Sequence, residues 1–335
     1  MSVSLSNVGV SFPSSSRVST FSSPRKQKLT VRCFCAPHIR RAATVSVEAT
    51  AELGSDEKIN NSTAILACPI CYDPLIWNTE MGSTAFQCPT CKKCYSKKEV
   101  FQDFTIATGA STYGEVKPLS TELFRFSLVS FLYERGWRQS FIWGGFPGPD
   151  KEFEMAQTYL KPTRGGILVD ASCGSGLFAR RFAKSETYSQ VIAMDFSENM
   201  LKQCYEFIEQ NAVPKENLIL VRADISRLPF TSKSIDAVHA GAALHCWPSP
   251  STAVAEICRV LRPGGVFVAT TFVLDGIPVL PPVLKASRQY LAQISSYHYF
   301  FTRELEDLCE ACGLVGFKSV RNGFFIMISA TKPSI

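Results

Sequence analysis

The stretch LVDASCGSGLFA at 168–179 constrains this chain more than any other. An apolar run ends in an acid, Asp170, and a glycine loop follows directly with Gly174 and Gly176. Four to eight apolar residues bounded by glycine read as a buried strand, and a helix is expected after the loop, through about Ala183. Glycines there let the backbone come close to a ligand. The loop also fits the loose dinucleotide pattern through Gly174, Gly176 and Ala179, so it does not decide the ligand class alone.

From about 115 to 335, strand-like and helix-like segments alternate, which points to an α/β fold with a mainly parallel, doubly wound sheet. Strands are expected at 166–170, 190–195, 218–224, 234–241 and 266–272. Ser197 with Glu198 starts one helix, STAVAEICRVL forms another that ends at Arg262-Pro263-Gly264-Gly265, and TRELEDLCEAC forms a third, stopped by Gly313. LVGFKSV and FFIMISAT, joined at Arg321-Asn322-Gly323, read as a terminal antiparallel pair.

Asp170, Asp195 and Asp224 stand at the carboxyl ends of three successive strands, the edge where open α/β sheets bind ligands. Asp195 is placed to accept from ribose hydroxyls, which a dinucleotide would offer as well. Asp170 discriminates. Directly before the loop it would repel a pyrophosphate and favour a cation, and S-adenosylmethionine carries a sulfonium and an ammonium but no phosphate. Asp224 can accept from an adenine amino group. A Tyr-x-x-x-Lys at Tyr113–Lys117 precedes the first strand, the wrong place for a short-chain dehydrogenase pair.

VDASCGSG, MDFSENML, RADISRLPFTSKSIDAV and RVLRPGG, in this order and spacing, resemble class I S-adenosylmethionine-dependent methyltransferases, over roughly 120–335. The resemblance is strongest to the group holding ubiquinone- and menaquinone-biosynthesis C-methyltransferases, and YERGWRQSFIWGGFPGPDKEFEMA at 133–156 is similar to a plant chloroplast subgroup. It implies a Rossmann-like sheet of seven strands with the last antiparallel. It also implies that Asp170, Ala171 and Gly174, with Gly176 in the same loop, surround the methionine part of the cofactor. Asp195 and Phe196 would meet ribose and adenine, and Asp224 and Ile225 the adenine edge. Ser172 departs from the family loop, which has glycine at that position.

A second motif lies upstream, at 65–105. Cys68-x2-Cys71 and Cys88-x2-Cys91 are separated by sixteen residues, the spacing of a zinc ribbon. Four thiolates close a tetrahedral shell at about 2.3 Å and leave no position for water, so the zinc would be structural. Cys94 is an alternative fourth ligand. On this reading removal of the ion unfolds 65–105 and leaves cofactor binding in place.

Residues 1–47 contain no Asp or Glu, seven Lys or Arg and eleven serines, the pattern of an organelle transit peptide, here of chloroplast type. Residues 48–64 read as a polar linker. Without 1–47 the chain holds 28 basic residues against 29 acids, so the overall charge of +6 is no argument for nucleic acid. No apolar run is long enough to span a membrane, which leaves peripheral contact open. Oligomeric state is unassigned.

The acceptor is read as a small molecule, quinone- or phenol-like. His245, after the fourth strand, is the candidate to orient or deprotonate it, and Tyr297, His298 and Tyr299 lie in an insertion where such enzymes cover the acceptor. Two alternatives stay open. Bacterial guanine methyltransferases acting on ribosomal RNA also place a cysteine module ahead of this fold, and Lys92, Lys93, Lys97 and Lys98 with Tyr95 would then face phosphates. The other is a non-catalytic, cofactor-binding subunit whose ribbon docks a partner.

Overall fold

In the computed structural model, which describes residues 65–78, 85–105, 137–275 and 297–334, the apolar runs become strands of one sheet. They are β5 (Ile167–Ala171), β6 (Gln190–Asp195), β7 (Leu218–Arg222), β8 (Ile235–Ala240) and β9 (Leu261–Phe272), completed by β10 (Val315–Asn322) and β11 (Phe325–Thr331). Strands β5 to β9 pair in parallel; β11 inserts antiparallel between β9 and β10. All six residues of β8 are buried, as expected of strands covered on both faces. β9 begins earlier than expected and absorbs Arg262-Pro263-Gly264-Gly265 through a register shift against β8. The expected targeting segment 1–47, the linker 48–64 and the Tyr113–Lys117 pair lie outside the described residues.

Helices α1 (Pro149–Tyr159), α2 (Leu177–Lys184) and α3 (Glu198–Gln210) cover one face. α4 (Pro250–Val260) and α5 (Thr302–Ala311) cover the other. Their burial follows the helical repeat. In α3 the Ser197 hydroxyl caps Met200 N, and Leu201, Cys204 and Ile208 face the sheet. In α4 Ser249 caps Thr252 N with Pro250 in the first turn, and Ala253, Val254, Ile257 and Val260 are buried. The Asp275 carboxylate accepts from Thr302 N and Oγ1 at 2.9 and 2.8 Å and so fixes the start of α5.

Among the described residues the sheet has eight strands rather than the expected seven. The cysteine-bearing segment forms a three-stranded antiparallel sheet, β1 (Ile76–Asn78), β2 (Ala85–Gln87) and β3 (Cys94–Ser96). It then adds β4 (Gln102–Asp103) to the main sheet, in parallel with β7. Without β4, β7 would be an edge strand with unpaired backbone groups. Leu66, Phe86, Tyr95 and Phe104 join one apolar cluster with Ile225, Leu228 and Phe230, so the segment shares a core with the α/β part. The backbone also ties them, through Ala67 N to Pro229 O at 2.9 Å and Thr231 N to Ile65 O at 2.8 Å.

Candidate active site

β5 delivers Asp170 and Ala171 to the sheet edge, and the chain then turns through left-handed backbone at Ser172 (φ 58°) and Gly174 (φ 56°). This is why glycine suits the position that Ser172 occupies. The serine has its own compensation, because Trp247 Nε1 donates to Ser172 Oγ at 2.9 Å. Gly176, at φ 79°, starts α2, and a Cβ there would lie 2.2 Å from Cys204 Sγ, so no side chain fits.

Over the carboxyl ends of the strands lies a cleft of about 900 Å³, open to solvent. Its walls are the glycine loop (Ser172, Gly174), the turn after β6 (Asp195, Phe196, Ser197), the turn after β7 (Asp224, Ile225) and the segment after β8 (Ala242, Ala243, Cys246, Trp247). Gly174, Asp195, Phe196, Asp224 and Ile225 therefore meet at one place. Asp170, Ala171 and Gly176 do not line the cleft, and all three are buried.

The acids are held in different ways. Asp195 accepts from Gly174 N (2.9 Å) on one carboxylate oxygen and from Ser197 N (2.8 Å) on the other, which joins the glycine loop to the start of α3. Burial pushes its carboxyl up to about 6. Asp224 Oδ1 accepts from Ser226 N (2.9 Å) and Oγ (2.6 Å). Asp170 is buried, and its Oδ1 lies 2.7 Å from His239 Nδ1 of β8. Its other oxygen is buried with no hydrogen-bond partner among the described residues. A carboxylate with an orphaned oxygen directly before the glycine loop suits a ligand bearing an ammonium group there better than one bearing phosphate. Sequence reasoning missed His239. The available signal was a histidine inside the apolar run IDAVHAG, since a polar side chain in a strand buried on both faces needs a partner.

His245 lies beside the cleft, and its neighbours Cys246 and Trp247 form the wall in its place. Its Nδ1 is 3.1 Å from Thr271 Oγ1, its ring packs edge-on against Phe272 and Tyr297, and its carbonyl accepts from His298 N at 2.8 Å. Burial lowers its pKa to about 4, so the imidazole is neutral at pH 7. A histidine this weakly basic is a better hydrogen-bonding group than proton acceptor.

The four thiols of Cys68, Cys71, Cys88 and Cys91 lie within 4.8 Å of one another. The two knuckles repeat one geometry: Tyr72 N and Lys92 N return to Cys68 O and Cys88 O at 2.7 and 3.0 Å, and Tyr72 and Lys92 share φ 59°. The Cys68–Cys91 sulfur separation is 3.7 Å, close to the roughly 3.8 Å edge of a tetrahedron with bonds of about 2.3 Å. Cys94 stands apart and points its thiol at Lys92 O. The Lys93 backbone N–H draws Cys91 down to about 7, while the hydrogen bond to Cys91 pushes Cys71 up to about 12.

The family model described as a methyltransferase domain matches residues 169–269, the stretch that supplies the glycine loop and all three acids. A chloroplastic methyltransferase of Arabidopsis thaliana is 62% identical over 289 residues, 83% of this chain and 81% of the relative. The chain belongs to the S-adenosylmethionine-dependent methyltransferases. A second Arabidopsis thaliana methyltransferase, also named chloroplastic, is 48% identical to this one over 94% of the chain and 93% of the relative. The demethylmenaquinone methyltransferase of Desulfitobacterium hafniense is 26% identical over 62% of the chain and 83% of its own length. Among solved structures, the methyltransferase shares its fold with Haemonchus contortus phosphoethanolamine N-methyltransferase 2 bound to S-adenosyl-L-methionine. That match has a TM-score of 0.51 at 18% identity, over 66% of this chain and 61% of the other. Among the described residues, no helix of this methyltransferase is long and apolar enough to cross a membrane.

Proposed function

We propose that this methyltransferase acts in the chloroplast on a small lipophilic acceptor, quinone- or phenol-like, with a zinc ion structural in the cysteine module. The observation that carries the reading is the cleft itself, which brings Asp195 and Asp224 together with Ala242, Ala243, Cys246 and Trp247. The acid-bearing turns are assigned to S-adenosylmethionine. Asp195 accepts from the ribose hydroxyls, Phe196 packs on the adenosine, and Asp224 and Ile225 take the adenine edge. Ala171, Gly174 and Gly176 let the backbone follow the methionine part, with Asp170 as the negative charge directly before the loop. When bound, the cofactor would supply an electrophilic methyl for in-line transfer and leave as S-adenosylhomocysteine, the acceptor entering as its anion with its proton already lost to solvent. The protein's share is alignment and exclusion of water, which the apolar wall provides. His245, neutral and held by Thr271, orients the acceptor rather than taking its proton.

Chloroplast placement is supported by the acid-free N-terminus and by the names of the two plant relatives. The zinc assignment is supported by the four-thiol geometry, with Cys91 rather than Cys94 as fourth ligand. The test is transfer of labelled methyl from S-adenosylmethionine by the purified protein into a chloroplast extract, counted in organic, RNA and protein fractions. Label is expected in the organic phase. Label in RNA would overturn the acceptor class and make the lysine edge at Lys92–Lys98 a docking element. Label in no fraction, with cofactor bound, would favour the non-catalytic reading.

A further inference from the structure

We infer that Asp103 is a positioning residue of the cofactor site, acting through Arg222 on Phe196, so that the cysteine module is a working part of the cleft. This rests on reading the cleft as the cofactor site. Asp103 sits on β4, the strand that the module adds to the sheet, and is 2% exposed. Its Oδ1 accepts from Thr105 N (3.0 Å) and Thr105 Oγ1 (2.7 Å), which locks the carboxylate within the module. Its Oδ2 accepts from Arg222 Nη1 at 3.1 Å. Arg222 in turn donates Nε to the Phe196 carbonyl at 3.1 Å and lays its guanidinium 5.6 Å from the centre of the Phe196 ring.

Phe196 lines the cleft directly after Asp195. Fixing its carbonyl and one ring face therefore fixes the turn that presents the Asp195 carboxylate. Arg222 has a second acid in reach, Glu198 Oε2 at 3.7 Å, which is far more exposed than Asp103. Without Asp103 the guanidinium is free to swing to Glu198 and out of line with the Phe196 carbonyl. The guanidinium reaches its two partners from two separate nitrogens, Nε and Nη1, whereas a lysine has a single nitrogen to place. The backbone reinforces the link, since Phe104 N donates to Arg222 O at 2.8 Å. The turn after β7 is braced independently: Arg227 Nη1 donates to Pro69 O in the first cysteine knuckle at 3.3 Å. Both adenosine-side walls are thus held from the module.

The experiment is calorimetric binding of S-adenosylhomocysteine to the full chain, with melting temperature recorded for each variant. Asp103→Ala should weaken binding about tenfold, and Arg222→Met by a similar factor. The double variant should be no weaker than either single one, because both remove the same link. Arg222→Lys keeps the charge opposite Asp103 but loses the donor to Phe196; it should melt near the parent and still bind weakly. Leu75→Ala, in the module core, should lower the melting temperature and leave affinity unchanged. Parent-like affinity in Arg222→Lys or Asp103→Ala, with Asp195→Ala still abolishing binding, overturns this inference alone. Parent-like affinity in Asp195→Ala overturns the reading of the cleft and this inference with it.

Discussion

Asp170 and His239 are register partners on the neighbouring parallel strands β5 and β8, and their side chains meet at 2.7 Å in a setting closed to water. Phe178 and Phe182 of α2 pack on the imidazole, with ring centres 4.8 and 5.3 Å away. A hydrogen bond to a charged group contributes about 1.5–3 kcal/mol, and losing it strands a buried carboxylate. His239→Leu should therefore lower unfolding free energy by about 2–3 kcal/mol in urea titrations. It should also weaken cofactor binding, because the carboxylate before the loop loses its fixed orientation.

Asp195 links cofactor affinity to pH. Burial raises its carboxyl to about 6, and ribose hydroxyls need the ionised form as acceptor. Affinity should rise as pH goes from 5 to 7 and level off above. Calorimetry near pH 6 in buffers of different ionisation enthalpy should detect proton release on binding. The effect on stability has the opposite sign. The native state holds this proton more tightly than the unfolded chain, so the Asp195 contribution to stability falls as pH rises from about 4 to about 6. Asp195→Asn should flatten both profiles.

Ser172 balances two effects. Its left-handed backbone costs about 1–2 kcal/mol, and the hydrogen bond from Trp247 returns about 1 kcal/mol. Ser172→Gly should change stability by less than about 1 kcal/mol, since it relieves strain and loses the bond together. Ser172→Ala keeps the strain and should cost about 1 kcal/mol in the same urea titration.

Metal removal should do more than the spacing of the cysteines implies. With β4 paired to β7 and Asp103 paired to Arg222, unfolding of 65–105 uncovers the sheet edge and the Arg222 side chain. A chelator should weaken cofactor binding as well as melt the module, in contrast to the expectation from the motif alone. Elemental analysis should find one zinc per chain. Acidification should release it, because the ligands must be thiolates.

The glycine loop, the three acids, the helix cap at Ser197 and the two cysteine pairs were all legible in the sequence. Each is a local property. Capping, hydrophobic period and ligand spacing depend on residues a few positions apart, and the bounds of β6, Gln190–Asp195, coincide with the run read from sequence. Tertiary structure alone decided the eighth strand, because the two residues Gln102 and Asp103 carry no pattern of their own and become a strand only by pairing with β7. It also decided the partners of the charged groups: Asp103 and Arg222 are 119 positions apart, and Asp170 and His239 are 69 apart. His245 follows the same rule. Its place after β8 was plain from the sequence, but the packing of Phe272, Tyr297 and Thr271 around it set its side chain beside the cleft and made it a weak base. Contacts between residues distant in the chain depend on register and packing, and those exist only once the sheet has formed.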